Sequence, residues 1–235
     1  CFASILLCSR KMLTLSTLKI KDIMAYKMIV LDLDGTLTNE KKEITAKTYN
    51  SLMQAQQQGV KIVLASGRPT YGIVPLARQL HLSEYDGYIL AYNGGKIVSC
   101  GSGATIFNQE LSPELVPYLH DEAKRAGLQI LTYQGDGIAA TRARDKYVLH
   151  EAFINKMPVV EYTDFKTQVE YPINKCLIVG DPKPLHALEM RLSESLRGRA
   201  MVYRPAGFFL ECVPPGIEKS QSLARLLGEL GIKRA

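Results

Sequence analysis

The sequence lacks the features that identify several common classes of protein. Its 235 residues include five cysteines, which are scattered and form no Cys-x-x-Cys pair of the kind that holds zinc or carries out redox chemistry. No apolar run approaches the roughly 20 residues of a membrane-spanning helix. The four histidines show no metal-ligand spacing, and no internal repeat is evident. These absences predict a cytoplasmic protein with free thiols that does not cross a membrane.

The formal net charge of +6 lies mostly at the two ends of the chain. Residues 1–23 contain four basic side chains and one acidic one, and Lys233 and Arg234 add two more positive charges. The remainder is close to neutral and contains no basic run with interleaved aromatic residues. We therefore expect no nucleic-acid partner.

Two aspartates interrupt an otherwise apolar segment near the start of the chain. Met28, Ile29 and Val30 lead into "LDLDGTLT", which contains Asp32 and Asp34. An unpaired carboxylate in apolar surroundings costs several kcal/mol, or takes up a proton. The pair therefore needs a metal ion, a basic side chain, or a position at the solvated end of the strand.

The next segments predict a βαβ unit. "ITAKTYNSLMQAQQQG" reads as a helix with Thr45 as its N-cap, and "VKIVLASGRP" reads as a second strand that ends at Ser66. Both strands are continuously apolar, as expected of a parallel sheet that is covered by helices on both faces. Ligands of such sheets bind at the carboxyl ends of the strands, where Asp32, Asp34 and Ser66 all fall. Because residues i and i+2 project from the same face, the two acids can address one hard cation such as Mg²⁺.

These motifs resemble those of the haloacid dehalogenase superfamily, and within it the Cof-like phosphatases with a type IIB cap. "LDLDGTLT" resembles the first family motif, "LASGRP" the second, and "LECVPPGIEKSQSLARLLGELGI" the third. The resemblance covers about residues 24–235. It implies an α/β fold: a Rossmann-like parallel-sheet core, here incomplete, with an inserted α+β cap domain.

The resemblance also implies roles for individual residues. Asp32 would be the nucleophile that forms an aspartyl-phosphate, and Asp34 would protonate the leaving group and then activate water. Ser66 would hydrogen-bond the phosphoryl oxygens, and Lys219 would neutralise their charge. Mg²⁺ would bind the Asp32 carboxylate and the Asp34 backbone carbonyl. The expected substrate-binding residues lie beside these groups: Gly35, Thr36, Gly67, Arg68, Asn93 and Gly94.

The domain boundaries follow from the spacing of the motifs. We expect an N-terminal appendage at 1–23, a core formed by 24–83 and 213–235, and a cap domain at 84–212. The cap would contain several hairpins and a helix in "SPELVPYLHDEAKRAG", with Ser112 as its N-cap.

The fourth motif of the family, an acidic loop after the third motif, is not found before the chain stops at Ala235. "QGDGI" and "IVGDPKP" resemble that loop, but both precede Lys219, and we assign Asp136 and Asp181 to structural roles. The first strand would then lack a neighbour on one side. We therefore expect an apparently truncated chain with weak Mg²⁺ binding, low activity and a tendency to aggregate.

The leading hypothesis is a Mg²⁺-dependent phosphatase that acts on a small phosphorylated metabolite, with a sugar phosphate as one candidate. Two alternatives remain open: a phosphomannomutase-like phosphotransferase, and a catalytically impaired or non-catalytic remnant without the fourth motif.

Overall fold

Two six-stranded sheets, formed by different parts of the chain, organise the fold. The structure, a computed structural model, describes residues 26–232 and the backbone of Ser4–Leu7. The chain divides into a core unit, Cys1–Asn108 with Glu218–Ala235, and an insert unit, Gln109–Ile217. Each unit has its own sheet.

The sheet of the core unit has a parallel half and an antiparallel half. Its strands lie side by side in chain order: β1 Ser4–Leu7, β2 Tyr26–Leu31, β3 Lys61–Ala65, β4 Tyr88–Ala91, β5 Lys96–Ser99 and β6 Thr105–Asn108. The first four strands are parallel, and β5 and β6 extend the sheet as antiparallel hairpins. The predicted parallel pairing of β2 with β3 is therefore confirmed.

Helices cover both faces of this sheet. Helices α1 Ala46–Gln57 and α2 Thr70–Gln79 supply apolar residues to the cluster that contains Ile29 and Leu31, while α7 Lys219–Glu229 belongs to the cluster that contains Met28 and Val30. Alternate residues of β2 thus enter opposite cores, which explains its uninterrupted apolar sequence. Thr45 is the N-cap of α1, as predicted, and its side chain accepts a hydrogen bond from the Thr48 amide.

The insert unit has a mainly antiparallel sheet of six strands. They are β7 Gln129–Gln134, β8 Gly137–Ala140, β9 Val159–Glu161, β10 Cys176–Val179, β11 Met201–Ala206 and β12 Phe209–Val213. Their order across the sheet is β11-β12-β10-β7-β8-β9. Its helices are α3 Leu115–Arg125, α4 Lys146–Asn155, α5 Phe165–Gln168 and α6 Pro182–Ser195. One apolar cluster joins α3, α5 and α6 to strands β7, β10 and β12. The predicted α+β character of the insertion agrees with this arrangement.

Three expectations differ from the structure. Residues 84–108, which we expected in the cap domain, complete the core sheet because β4 pairs with β3 and β5 with β4; residues 213–217, expected in the core, fall in the insert unit. Strand β1 pairs with β2, so the expectation that β2 lacks a neighbour is wrong. The other residues of the expected appendage, 1–3 and 8–23, lie outside the described residues.

The third difference concerns the start of a helix. Helix α3 begins at Leu115 with Glu114 as N-cap, not at Ser112. The Leu115 amide donates to the Ser112 carbonyl, so a tight turn precedes the helix. This bond occupies the amide from which the Ser112 side chain would have accepted as an N-cap.

Among the described residues, none of the helices combines the length and the apolar character needed to cross a bilayer.

Candidate active site

The two aspartates lie in a tight loop at the carboxyl end of β2. The strand ends at Leu31, and the Leu37 and Thr38 amides both donate to the Leu33 carbonyl, at 3.1 and 3.0 Å. Gly35 turns the loop with a φ of 77°, a conformation that favours glycine. The side chains of Asp32 and Asp34 are 37% and 39% exposed. Both carboxylates can therefore meet a ligand without being fully desolvated.

Thr36 lies in the same loop. Its amide donates a long hydrogen bond, 3.4 Å, to the Leu33 carbonyl, and the residue is exposed. It therefore lies beside the aspartates, as predicted for a substrate-binding residue, but its role stays a prediction.

The second predicted motif follows β3, the strand beside β2. Ser66 is buried; its amide donates to the Leu90 carbonyl at 2.9 Å, and its Oγ accepts a hydrogen bond from the Arg68 amide at 3.2 Å. These bonds fix the turn through Gly67. Because β2 and β3 are parallel neighbours, this turn and the aspartate loop lie at the same edge of the sheet.

Asn93 and Gly94 belong to a short turn after β4. The Asn93 amide donates to the Ser66 carbonyl at 2.9 Å. A Cβ atom placed on Gly67 would lie 3.2 Å from the Asn93 side chain, so the two loops are in close contact. The Ser66 and Asn93 loops therefore support each other.

Helix α7 contacts the Gly94 turn at the same edge of the core sheet. The Ser222 hydroxyl donates to the Gly94 carbonyl at 2.8 Å, and a Cβ atom on Gly94 would lie only 2.3 Å from that hydroxyl. Gly94 also has a φ of 97°. Since Ser222 lies one turn after Lys219, this contact fixes the start of α7 and, with it, the lysine.

Lys219 reaches the first aspartate. It is the first residue of α7, and its ammonium group donates to Asp32 Oδ1 across 187 residues of sequence. Both side chains are partly exposed, at 40% and 37%. The structure thus brings together the predicted nucleophile and the predicted phosphate-neutralising lysine, although their chemical roles stay predictions.

Asp34 is held by two other basic side chains. Arg68, which is nearly buried, donates from Nε to Oδ2 at 3.0 Å and from Nη2 to Oδ1 at 2.5 Å. Lys42 donates to Oδ1 at 2.7 Å. Burial raises the pKa of the Asp34 carboxyl, but the hydrogen bonds and charges of Arg68 and Lys42 outweigh it, so the pKa lies below its usual value.

Charge is unbalanced at this edge of the sheet. Two carboxylates face three cationic groups, from Lys42, Arg68 and Lys219. An excess positive charge in a partly exposed site attracts an anion. Phosphate monoesters, which are dianions near neutral pH, match this charge.

Few oxygen donors for a metal ion lie at this edge of the sheet. The described residues contain no group of three acidic, histidine or cysteine side chains that could hold a metal. The Asp32 carboxylate and the Asp34 backbone carbonyl are oxygen donors of the type that Mg²⁺ prefers, and Mg²⁺ commonly retains several waters beside one or two carboxylates. These two donors therefore fit Mg²⁺ as a partial set.

Asp136 and Asp181, the two acids that resemble the fourth motif, both lie in the insert unit. Asp136 occupies the turn between β7 and β8. Asp181 occupies the N-cap position of α6, and its carboxylate accepts a hydrogen bond from the Tyr147 hydroxyl at 2.7 Å. These positions agree with the structural roles that we expected for both.

Lys42 was not foreseen from the sequence. It is one of two adjacent lysines in "TNEKKEI", a polar segment typical of an exposed turn. Its contact with Asp34 depends on the handedness of that turn, which the order of the residues does not reveal.

Comparison with known proteins agrees with the geometry. A family model described as haloacid dehalogenase-like hydrolase matches residues 29–235. The crystal structure of a haloacid dehalogenase-like hydrolase from Bacteroides thetaiotaomicron is 48% identical in sequence and superposes with a TM-score of 0.86. The match covers 88% of this chain and 78% of that one.

Two curated relatives are more distant. A candidate phosphatase of Streptococcus pyogenes serotype M6 is 26% identical over 212 residues, which is 89% of this chain and 78% of that protein. An HMP-PP phosphatase of Cronobacter sakazakii is 25% identical over 204 residues, 87% of this chain and 73% of that protein.

Proposed function

Because this chain belongs to the haloacid dehalogenase-like hydrolases, we propose that it is a phosphatase that transfers the phosphoryl group of a small metabolite to Asp32 and then to water. One observation carries the proposal. The Lys219 ammonium group donates a hydrogen bond to Asp32. Two residues later, the Asp34 carboxylate accepts hydrogen bonds from Arg68 and Lys42. The residues that we propose as nucleophile, as acid–base group and as cationic groups for the phosphoryl oxygens therefore lie at one edge of the sheet.

The first half-reaction uses Asp32. A carboxylate oxygen of Asp32 attacks phosphorus, and the bond from phosphorus to the leaving-group oxygen breaks. That oxygen takes a proton from Asp34, which enters this step protonated because the negative charge of the bound phosphate ester raises its pKa again. Charge on the transferring phosphoryl oxygens is neutralised by Lys219, and the Ser66 hydroxyl donates a hydrogen bond to them. Phosphoryl transfer depends mainly on such positioning and charge neutralisation.

The second half-reaction reuses Asp34. As a carboxylate it takes a proton from water, the water oxygen attacks the phosphorus of the aspartyl-phosphate, and Asp32 leaves with inorganic phosphate as the product. Gly35 and Thr36 lie beside Asp34, and Gly67, Asn93 and Gly94 form the adjacent loops. Backbone amides in such loops can hydrogen-bond phosphoryl oxygens.

The proposed site would also hold a metal ion. The Asp32 carboxylate and the Asp34 backbone carbonyl would bind Mg²⁺. When bound, Mg²⁺ neutralises phosphoryl charge and orients the group for in-line transfer.

The proposed substrate is a small phosphate ester. A curated relative is named an HMP-PP phosphatase. The substrate class that we propose for this chain is a phosphorylated sugar or a related small metabolite. The described cysteines, Cys100, Cys176 and Cys212, are free thiols, which is compatible with the predicted cytoplasmic location.

A labelling experiment tests the intermediate. The protein is mixed with Mg²⁺ and a ³²P-labelled phosphate monoester, quenched with acid after milliseconds, and digested. We expect label that hydroxylamine removes, on the peptide that contains Asp32. The variant Asp181→Asn serves as a matched control, because it removes an acid of the insert unit and should label normally.

Two outcomes would contradict the proposal. Phosphate release without any labelled peptide would indicate direct attack by water. Transfer of the label to a second sugar hydroxyl, in preference to water, would favour the phosphotransferase alternative.

A further inference from the structure

Lys42 lies in a turn whose backbone conformation is unusual for a lysine. The turn runs from Asn39 to Glu43: the Asn39 amide donates to the Glu43 carbonyl at 3.0 Å, and the Lys42 amide donates to the Asn39 carbonyl at 2.9 Å. The Asn39 side-chain oxygen also accepts from the Lys41 and Glu43 amides, at 2.9 and 3.1 Å. Within this turn Lys42 has a φ of 61°. A non-glycine residue in the left-handed region is uncommon, and its cost calls for a compensating interaction.

The interaction of Lys42 with Asp34 distinguishes the two carboxylate oxygens. Oδ1 accepts from both Lys42, at 2.7 Å, and Arg68 Nη2, at 2.5 Å. Oδ2 accepts one hydrogen bond in this cluster, from Arg68 Nε at 3.0 Å. Lys42 therefore adds a second donor to one oxygen and leaves the other with more free acceptor capacity.

Building on the function proposed above, we propose that Lys42 is a positioning residue for Asp34: its ammonium group holds Oδ1, so that Oδ2 exchanges the proton with the leaving group and with water. Arg68 alone bonds both oxygens in a fork, and a half-turn of the carboxylate would exchange the two oxygens without losing either hydrogen bond. The hydrogen bond from Lys42 reaches Oδ1 from a second donor and therefore opposes rotation of the carboxylate. A general acid must keep one oxygen within hydrogen-bond reach of the atom that it protonates.

The adjacent lysine offers a matched control. Lys41 is exposed, has the same charge and lies in the same turn, and its side chain makes no ion pair with any residue in 26–232. A general effect of positive charge near the site would involve both lysines. The positioning role requires Lys42 and not Lys41.

The experiment compares Lys42→Met with Lys41→Met on two kinds of phosphate ester. For Lys42→Met we expect kcat/KM to fall about tenfold on an alkyl phosphate, whose poor leaving group needs a proton, and less than about twofold on 4-nitrophenyl phosphate. Lys41→Met should match the wild type on both substrates, and Lys42→Arg should recover most of the loss. An equal loss on both substrates for Lys42→Met would overturn the proposal.

A second variant separates positioning from folding. In Lys42→Gly the ammonium group is lost, but the left-handed φ becomes unstrained, so the turn should be at least as stable. We expect this variant to lose activity on the alkyl phosphate as Lys42→Met does, with an unchanged unfolding midpoint. Full activity of Lys42→Gly on that substrate would overturn the proposal.

Coupling to Asp34 completes the test. If Lys42 acts through Asp34, Lys42→Met should cause no further loss in an Asp34→Asn background. Additive losses, or an inhibition constant for inorganic phosphate that rises about tenfold in Lys42→Met, would instead show direct contact with the phosphoryl group. An inactive wild type would refute the proposed phosphatase function, whereas an active wild type with identical Lys42→Met and Lys41→Met variants would refute only this inference.

Discussion

The core unit and the insert unit each place a lysine against a carboxylate, but in different surroundings. In the core unit, the side chains of Lys219 and Asp32 are 40% and 37% exposed. Two more cationic side chains, Lys42 and Arg68, form ion pairs with the nearby Asp34. In the insert unit, Lys175 and Glu211 are 3% and 8% exposed and lie 2.8 Å apart. The first pair is accessible and part of a cluster with excess positive charge, and the second is buried and balanced.

The buried pair is also completed by its neighbours. The Tyr203 hydroxyl donates to the second carboxylate oxygen of Glu211 at 2.7 Å, and the Lys175 ammonium lies 5.4 Å from the centre of the Tyr133 ring. A buried charge needs this degree of satisfaction. An ion pair that must meet a ligand instead retains access to solvent, so exposure and charge balance together distinguish a candidate site from a structural pair.

Among changes to the two ion pairs, Asp32→Asn in the exposed pair should have the largest effect on activity. This change removes the charge of the proposed nucleophile at nearly constant volume, so kcat should fall by at least about a thousandfold while the protein stays folded. Steady-state hydrolysis of 4-nitrophenyl phosphate and thermal unfolding measure the two quantities. Retained turnover would remove Asp32 from the mechanism.

Breaking the buried pair should have the opposite pattern. Lys175→Met leaves Glu211 charged and without its cation, and should lower the free energy of unfolding by about 3 kcal/mol or more. The exposed pair of Lys61 with Asp86 offers a control: Lys61→Met should cost less than about 1 kcal/mol, because these side chains are 30% and 73% exposed. Urea unfolding of both variants gives the comparison. Equal losses would mean that burial does not distinguish the pairs.

Local patterns predicted much of the core unit. The apolar runs and the Thr45 cap identified β2, α1 and β3. Each of these elements is recognisable from a regular pattern of residues close together in the sequence. The position of Asp32 and Ser66 at one sheet edge followed from parallel pairing. By contrast, the pairing of β1 with β2 joins segments whose relation the local pattern does not encode.

The rest of the site depended on tertiary contacts. No sequence pattern indicated that Arg68, expected to bind substrate, also bonds to Asp34, or that Lys42 in a left-handed turn would bond to the same carboxylate. The domain boundary at 84 was misplaced because an antiparallel hairpin continues the parallel sheet, and the number of residues between motifs cannot reveal that continuation. Such contacts form between residues whose spacing follows no period.

Gly94→Ala should disturb the candidate site without removing a charge. The added Cβ would meet the Ser222 hydroxyl at 2.3 Å, and the φ of 97° disfavours alanine. We expect a loss of about 2 kcal/mol in unfolding free energy and a displaced start of α7. Gly228→Ala, a change inside α7 with no atom within 4 Å of the new Cβ, should stabilise slightly. An unchanged free energy of unfolding in Gly94→Ala would show that the Ser222 side chain can move away from the new Cβ at little cost.

The smallest effect concerns the dependence of stability on pH in the core unit. Burial opposes ionisation of Asp34, but Arg68 and Lys42 outweigh it and bring the pKa of the folded state below the ordinary value of 3.8. A lowered carboxyl pKa stabilises the folded state above the unfolded-state pKa, and this contribution is lost as the pH falls through the folded-state pKa. The difference in unfolding free energy between the wild type and Asp34→Asn should therefore be constant near neutral pH and should shrink in acid below 3.8. Because Asp34 is 39% exposed, solvent screening should keep the difference small. Urea titrations without added metal across this acidic range measure it, and a difference that grows toward acid would mean that burial, and not the two cations, dominates at Asp34.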